Sequence, residues 1–118
     1  MQRFTELKVW QRGHALVLKV YKLTNGFPMV ERYGLTSQLR RAVLSVPTNI
    51  AEGSNRISNQ DHARFLNTAE ASLAETEYLL LVSRDLEYAT PAAINVRFSD
   101  VAELASMLHG LRKKVESK

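Results

Sequence analysis

No cysteine occurs anywhere in the chain. Disulfide staples, thiol nucleophiles and zinc–thiolate sites are excluded together. No secretory leader pattern opens the sequence, so a reducing cytoplasm is the expected compartment. Long apolar runs are missing as well. The longest, Tyr78 to Val82, is flanked by Glu77 and Arg84 and falls far short of the ~20 residues that a bilayer span requires. No membrane partner is expected. Proline and glycine are sparse, three and five in 118 residues, and neither an internal repeat nor a low-complexity tract is present. The alternating pattern of a strand is absent too; apolar residues recur at spacings of three and four. With 45% hydrophobic and 24% charged residues, the composition is that of a folded protein. The length predicts one domain over residues 1–118.

What is present is helix. The spacing predicts segments over about 6–25, 33–53, 59–87 and 91–116. In the first, Val9, Gly13, Leu16, Val17, Val20 and Thr24 share a face, and Asn25-Gly26-Phe27-Pro28 ends it, with Gly26 free to take a positive φ. In the second, Leu35, Leu39, Ala42, Val43, Val46 and Ile50 form the apolar stripe and Gly53 stands where a helix stop is expected. The third opens at Ser58 with Asp61 three residues on, a carboxylate version of the capping box. It carries Phe65, Leu66, Ala69, Leu73 and Leu80. The fourth opens with Thr90-Pro91, a capping hydroxyl followed by proline at the first helical position. Ile94, Phe98, Val101, Leu104, Ala105, Leu108, Leu111 and Val115 line its inner face. Four amphipathic helices with short connections predict an all-α fold, an antiparallel up-down four-helix bundle.

The stretch Arg40–Arg56, RRAVLSVPTNIAEGSNR, interrupts this simple pattern. Gln38, Arg41, Ser45, Asn49 and Glu52 fall within about 80° on a helical wheel, beside the apolar stripe and not opposite it. Thr68, Ser72, Glu75 and Leu79 flank the apolar face of the third helix in the same way. A buried polar seam between helices two and three is the expectation, with Arg41 placed to pair with Glu75 and Asn49 with Ser72. Pro47 removes a backbone donor inside the helix and should bend it, leaving the Val43 carbonyl open to a polar neighbour. On the wheel Pro47 lies with Leu44 and Ala51, away from the core stripe, an apolar surplus that predicts contact with another subunit.

Catalytic chemistry finds little to work with. AEGSN has one glycine and no lysine at phosphate-loop spacing. His14, His62 and His109 lie on three different helices, which disfavours a serine–histidine arrangement. The residues three before them are Gln11, Asn59 and Ser106, so the Glu-x-x-His pairs of di-metal bundles are missing. A helix-turn-helix around Gly53 conflicts with helices this long, since the DNA-binding motif uses short ones crossing steeply. No catalytic residue, metal or cofactor is expected.

Charge is the remaining signal. The net charge is +4, unevenly spread. Residues 1–59 hold nine Lys/Arg against three Asp/Glu, residues 60–103 three against eight, and residues 104–118 four against one. A basic–acidic–basic chain predicts a partner of opposite charge, either nucleic acid or another copy of itself. Lys8, Arg12, Lys19 and Lys22 stack on one face of the first helix. With Arg112, Lys113 and Lys114 they are the candidate phosphate contacts. Charged outer faces are also what any soluble helix carries.

Three stretches, Phe4–Trp10 (FTELKVW), Phe27–Arg56 and Phe65–Glu77 (FLNTAEASLAETE), closely resemble the bacterial four-helix bundle proteins encoded in intervening sequences of large-subunit ribosomal RNA genes. The resemblance runs to about Leu86; the fourth helix carries little of it. It implies an antiparallel bundle assembled into a five-fold ring, a homopentamer, with basic surfaces that bind RNA or DNA and no catalytic residue. The same superfamily includes the accessory protein of diversity-generating retroelements, which makes a reverse transcriptase a further implied partner. Arg41, Ser45, Asn49, Glu52, Ser72 and Glu75 match the family's polar positions, where a register-fixing or subunit-contact role is implied. Two functions follow as expectations: a non-enzymatic nucleic-acid-binding oligomer with little sequence specificity, or a protein-interaction scaffold.

Overall fold

Why four separate helices form is largely a matter of their ends. The computed structural model describes residues 3–118, with helices α1 (Lys8–Thr24), α2 (Leu35–Ser54), α3 (Asn59–Asp85) and α4 (Pro91–Glu116). Short 3-10 turns at Phe4–Glu6 and Met29–Glu31 precede the first two. α3 and α4 begin at the hydroxyl caps their sequences anticipate, although the Asp61 carboxylate accepts from Arg64 and does not close the box onto Ser58 N–H. Ser58 Oγ accepts from Asp61 N–H at 3.1 Å, and Thr90 Oγ1 accepts from Ala93 N–H at 3.1 Å with Pro91 at the first turn. The start of α2 is different. Glu31 Oε1 reaches forward and accepts from Leu35 N–H at 3.0 Å, so a carboxylate satisfies one of the orphan donors and meets the positive helix end. The helix therefore begins at Leu35 and not at Tyr33. α1 starts at Lys8 because Leu7 is extended.

The C-terminal ends need other devices. Glu87 has φ 62° and follows the last turn of α3. Its N–H donates to Arg84 O and that of Tyr88 to Ser83 O, both at 2.9 Å, the paired bonds of a Schellman cap. This is why α3 ends at Asp85. Gly26 ends α1 without a positive φ. Arg40 closes that helix from outside: its guanidinium donates to Thr24 Oγ1 at 2.8 Å, Tyr21 O at 3.3 Å and Asn25 Oδ1 at 3.1 Å, and lies over the Tyr21 ring.

Each helix touches its two neighbours in a cycle, α1–α2–α3–α4–α1, and among the described residues neither diagonal pair approaches. Contacts step in opposite chain directions at every seam. Gly13 meets Pro47 while Thr24 meets Arg40. Gly53 meets His62 while Ser45 meets Ser72. Glu70 meets Arg112 while Arg84 meets Phe98. Arg12 meets Glu103 while Lys19 meets Asp100. The bundle measures 45 × 23 × 20 Å. Its core joins the apolar faces of all four helices, with Val20, Leu39, Leu66, Leu80, Ile94 and Leu108 fully enclosed. Ala105, expected inside, is exposed, and Phe65 is half-buried with the Arg56 and Arg64 guanidiniums over its ring.

Two residues of the Arg40–Arg56 stretch are placed differently from their sequence reading. Gly53 is buried inside α2 and is no stop. A Cβ there would lie 2.9 Å from Phe65 Cβ and 3.2 Å from His62 Cδ2, so glycine permits the close approach of α3. Of the surplus set, Pro47 is buried under α1, with an added Cβ on Gly13 falling 3.5 Å from Pro47 Cβ, whereas Ala51 is half-buried and Leu44 is exposed. Side-chain donors go to the two carbonyls that follow Val43 O: Thr48 Oγ1 donates to Leu44 O and Asn49 Nδ2 to Ser45 O, each at 2.8 Å.

Candidate nucleic-acid interface

Half of the basic stripe expected on α1 is taken up by ion pairs with α4. Arg12 pairs with Glu103 and Lys19 lies 3.6 Å from Asp100. Asp100 is shared with Arg97 Nε at 3.3 Å. Both cations face α4, whose acidic residues sit more than two thirds of the chain away in sequence. Arg112 is also neutralised. It donates to Glu70 and, at 3.0 Å, to Glu116 Oε2, and it is only 20% exposed. The Glu70 bond raises its pKa further, so it is a fixed structural cation.

Lys8, Lys22, Lys113 and Lys114 remain exposed and, among the described residues, without an acidic partner within 4.0 Å. The alternating chain direction decides where they gather. α1 and α3 begin at the end where α2 and α4 finish. Lys8, Arg56, Lys113, Lys114 and Lys118 share that end, all exposed and without an ion pair among the described residues. Its acids are Glu6 and Glu52, which are free, and Asp61 and Glu116, which are occupied by Arg64 and Arg112. Lys22 lies at the other end, about 21 Å from Lys8 along the helix axis, together with Arg32 and Arg40, which also lack an ion pair among the described residues, and with Arg84, which pairs with Asp85. Cations without an acidic partner thus stand at both ends, more of them at the first. Arg56 and Lys118 belong to the basic end yet stand outside the α1 stripe; only the topology reveals them.

Aromatic rings at this end are already engaged. Trp10 meets Phe4 edge-on at 5.1 Å and stacks on His14 at 5.0 Å, 6° from parallel. His62 packs against Gly53; burial, and then the charge of Lys118, lowers its pKa. His109 lies 3.8 Å from Glu70. The three histidines share no site.

The polar seam is a half-open groove and not a buried one. Ser45 and Ser72 hydroxyls meet at 2.9 Å, and Asn49 Nδ2 donates to Ser45 Oγ at 2.9 Å. Ser45 therefore stands between the residues expected to pair directly. Gln38, Arg41, Glu52 and Glu75 are exposed, and Arg41 and Glu75 form no ion pair among the described residues. The deeply buried hydroxyls lie elsewhere: Thr76 and Ser83 donate to Ser72 O and Leu79 O within α3.

These features define a four-helix bundle with one basic end and, among the described residues, no cluster of metal-ligating side chains between its helices. The model of the 23S rRNA-intervening sequence proteins matches residues 5–110, and the chain belongs to that family. A crystal structure of a Bacteroides thetaiotaomicron protein of unknown function, from the S23 ribosomal protein family, has a similar fold. It superposes with a TM-score of 0.80 at 24% identity, covering 89% of this chain and 98% of that one. No curated protein matches the chain significantly. None of the described helices is long and apolar enough to cross a membrane.

Proposed function

We propose that this protein is a non-enzymatic, self-assembling bundle that binds RNA or DNA through its basic end. The observation that carries the reading is the collection of unpaired cations, Lys8, Arg56, Lys113, Lys114 and Lys118, around one end of a bundle whose backbone is 23 × 20 Å in cross-section. A cation free to neutralise a phosphate releases the counterion condensed on the nucleic acid there, and one already held by a carboxylate does so less readily. Point charges on flexible stems contact phosphates and leave base edges unread. The rings nearby are already engaged with each other or with arginines, so little sequence preference follows. Assembly into the five-fold ring that the family resemblance implies would present several such ends together and raise avidity.

Salt dependence tests this. Fluorescence anisotropy with a labelled single-stranded RNA gives a log–log slope of affinity against salt, to which each phosphate contact contributes about 0.7. The triple change Arg56→Gln, Lys113→Gln, Lys114→Gln should flatten the slope by about two. Arg12→Gln with Lys19→Gln should leave it nearly unchanged. A slope that responds to the α1 pair and ignores the triple change would refute the basic-end reading.

A further inference from the structure

Two arginines of this bundle are each held by several hydrogen bonds, and their surroundings differ. Arg112 donates to the carboxylates of Glu70 and Glu116, so its charge is met. Arg40, half-buried, donates only to neutral oxygens, those of Thr24, Tyr21 and Asn25, and lies over the neutral Tyr21 ring. These bonds engage Nε and Nη2. Nη1, which carries two of the guanidinium's N–H donors, donates to nothing among the described residues. A partly buried charge without a counter-charge is costly. Beside Arg40 lies a cleft of about 310 Å³, at the end of the bundle remote from Lys113 and Lys114. Arg32 lines it as well, and no acidic residue does. Thr36, only 8% exposed, lines the same cleft, and its hydroxyl makes no hydrogen bond among the described residues. Phe27 and Met29 give the cleft an apolar side.

We propose that this cleft binds a small ligand with an oxyanion head, a carboxylate or a phosphate, on an apolar body. The head accepts from Nη1 of Arg40, Arg32 adds a second positive charge, and the Thr36 hydroxyl donates a further hydrogen bond. The body lies against Phe27 and Met29. Arginine suits such a head because it stays charged and presents its donors in a fixed plane. Arg40 also needs no ordering on binding, since the Thr24, Tyr21 and Asn25 bonds already hold it. A nucleic acid fits this cleft less well. Its phosphates follow one another along a polar chain, whereas the cleft offers one group of donors beside apolar side chains. The site lies at the end opposite the proposed RNA contact and does not depend on it.

The test is an NMR titration of the full chain that follows the arginine Nε–H signals, with phenylpropionate and phenyl phosphate as probes and neutral phenylpropionamide as the control. The Arg40 and Arg32 signals should move and saturate with the anions and stay still with the amide. Saturation by either anion supports the proposal, and the tighter of the two gives the head group. Arg32→Gln should weaken binding about tenfold or more, and Thr36→Val about fivefold. Lys22→Gln removes a cation at the same end but outside the cleft and should change little. Arg40→Gln should abolish saturation. Because Arg40 also closes α1, the Arg32 and Thr36 variants keep the test independent of that helix end. Shifts that never saturate, equal binding of the amide, or equal losses in Arg32→Gln and Lys22→Gln would overturn the proposal. If single-stranded RNA moves the Arg40 signal and the two small anions do not, the cleft is a phosphate contact of nucleic acid and the proposal also falls.

Discussion

Two helical glycines answer differently when asked what a methyl group would meet. At Gly53 an added Cβ would sit 2.9 Å from Phe65 Cβ, an atom fixed to the α3 backbone. Overpacking of that kind costs about 1–3 kcal/mol and outweighs the gain of about 1 kcal/mol from replacing a helical glycine with alanine. At Gly110 nothing lies within 4 Å, so only the gain remains. Urea unfolding should show Gly53→Ala destabilised by about 1 kcal/mol and Gly110→Ala stabilised by about 1 kcal/mol. Equal responses would mean that the α2–α3 approach does not constrain Gly53. The sequence cannot make this distinction. Gly53 follows an apolar stripe, which is also where a stop belongs, and only the neighbouring helix gives it a different role. Pro47 is illegible for the same reason: its wheel position is known, but the cover that α1 supplies at Gly13 is not.

Helix boundaries are most legible where the cap is local. Ser58 and Thr90 cap the turns that directly follow them, and the pattern of adjacent residues reveals both. The start of α2 is not local. Glu31 accepts from Leu35 N–H with one oxygen and from Tyr88 Oη–H with the other at 2.9 Å, tying the α2 entrance to the α3–α4 loop across 57 positions. Tyr88 also packs on Phe27 with ring centroids 5.6 Å apart. A Cβ at Gly34 would fall 2.7 Å from Glu31 Oε1, so a larger residue there would push this carboxylate aside. The Leu35 amide and then the Tyr88 hydroxyl lower the Glu31 pKa below its usual 4.5. A depressed carboxylate contributes stability that is present above its unfolded pKa and lost as pH falls through the folded one. The same bond raises the Tyr88 pKa above 10.0, so its contribution is present below that value and lost at higher pH. Thermal unfolding across pH should therefore show Tyr88→Phe less stable than the natural chain at neutral pH, with the difference shrinking below pH 4.5. A difference that persists undiminished in acid would show that the Glu31 carboxylate is not the acceptor that matters.

At the scale of the whole molecule, burial is easy to read and pairing is not. Periodicity places Val20, Leu39 and Leu108 inside because each helix declares its own apolar face. It cannot show that Arg12 and Glu103 share a seam, so the α1 stripe reads as free when half of it is neutralised. The same blindness hides the basic end, which exists only once the four helices alternate in direction. Under the proposed function, charge position and not net charge then governs binding. Lys114→Gln at the basic end and Lys22→Gln at the opposite end each take the net charge from +4 to +3, so a purely electrostatic view expects equal losses of affinity for nucleic acid. If the basic end is the contact surface, Lys114→Gln should lower the salt slope on a single-stranded RNA by about 0.7, and Lys22→Gln should leave it nearly unchanged. Equal slopes for the two variants would show that the molecule binds through its overall charge and that its ends are not distinguished.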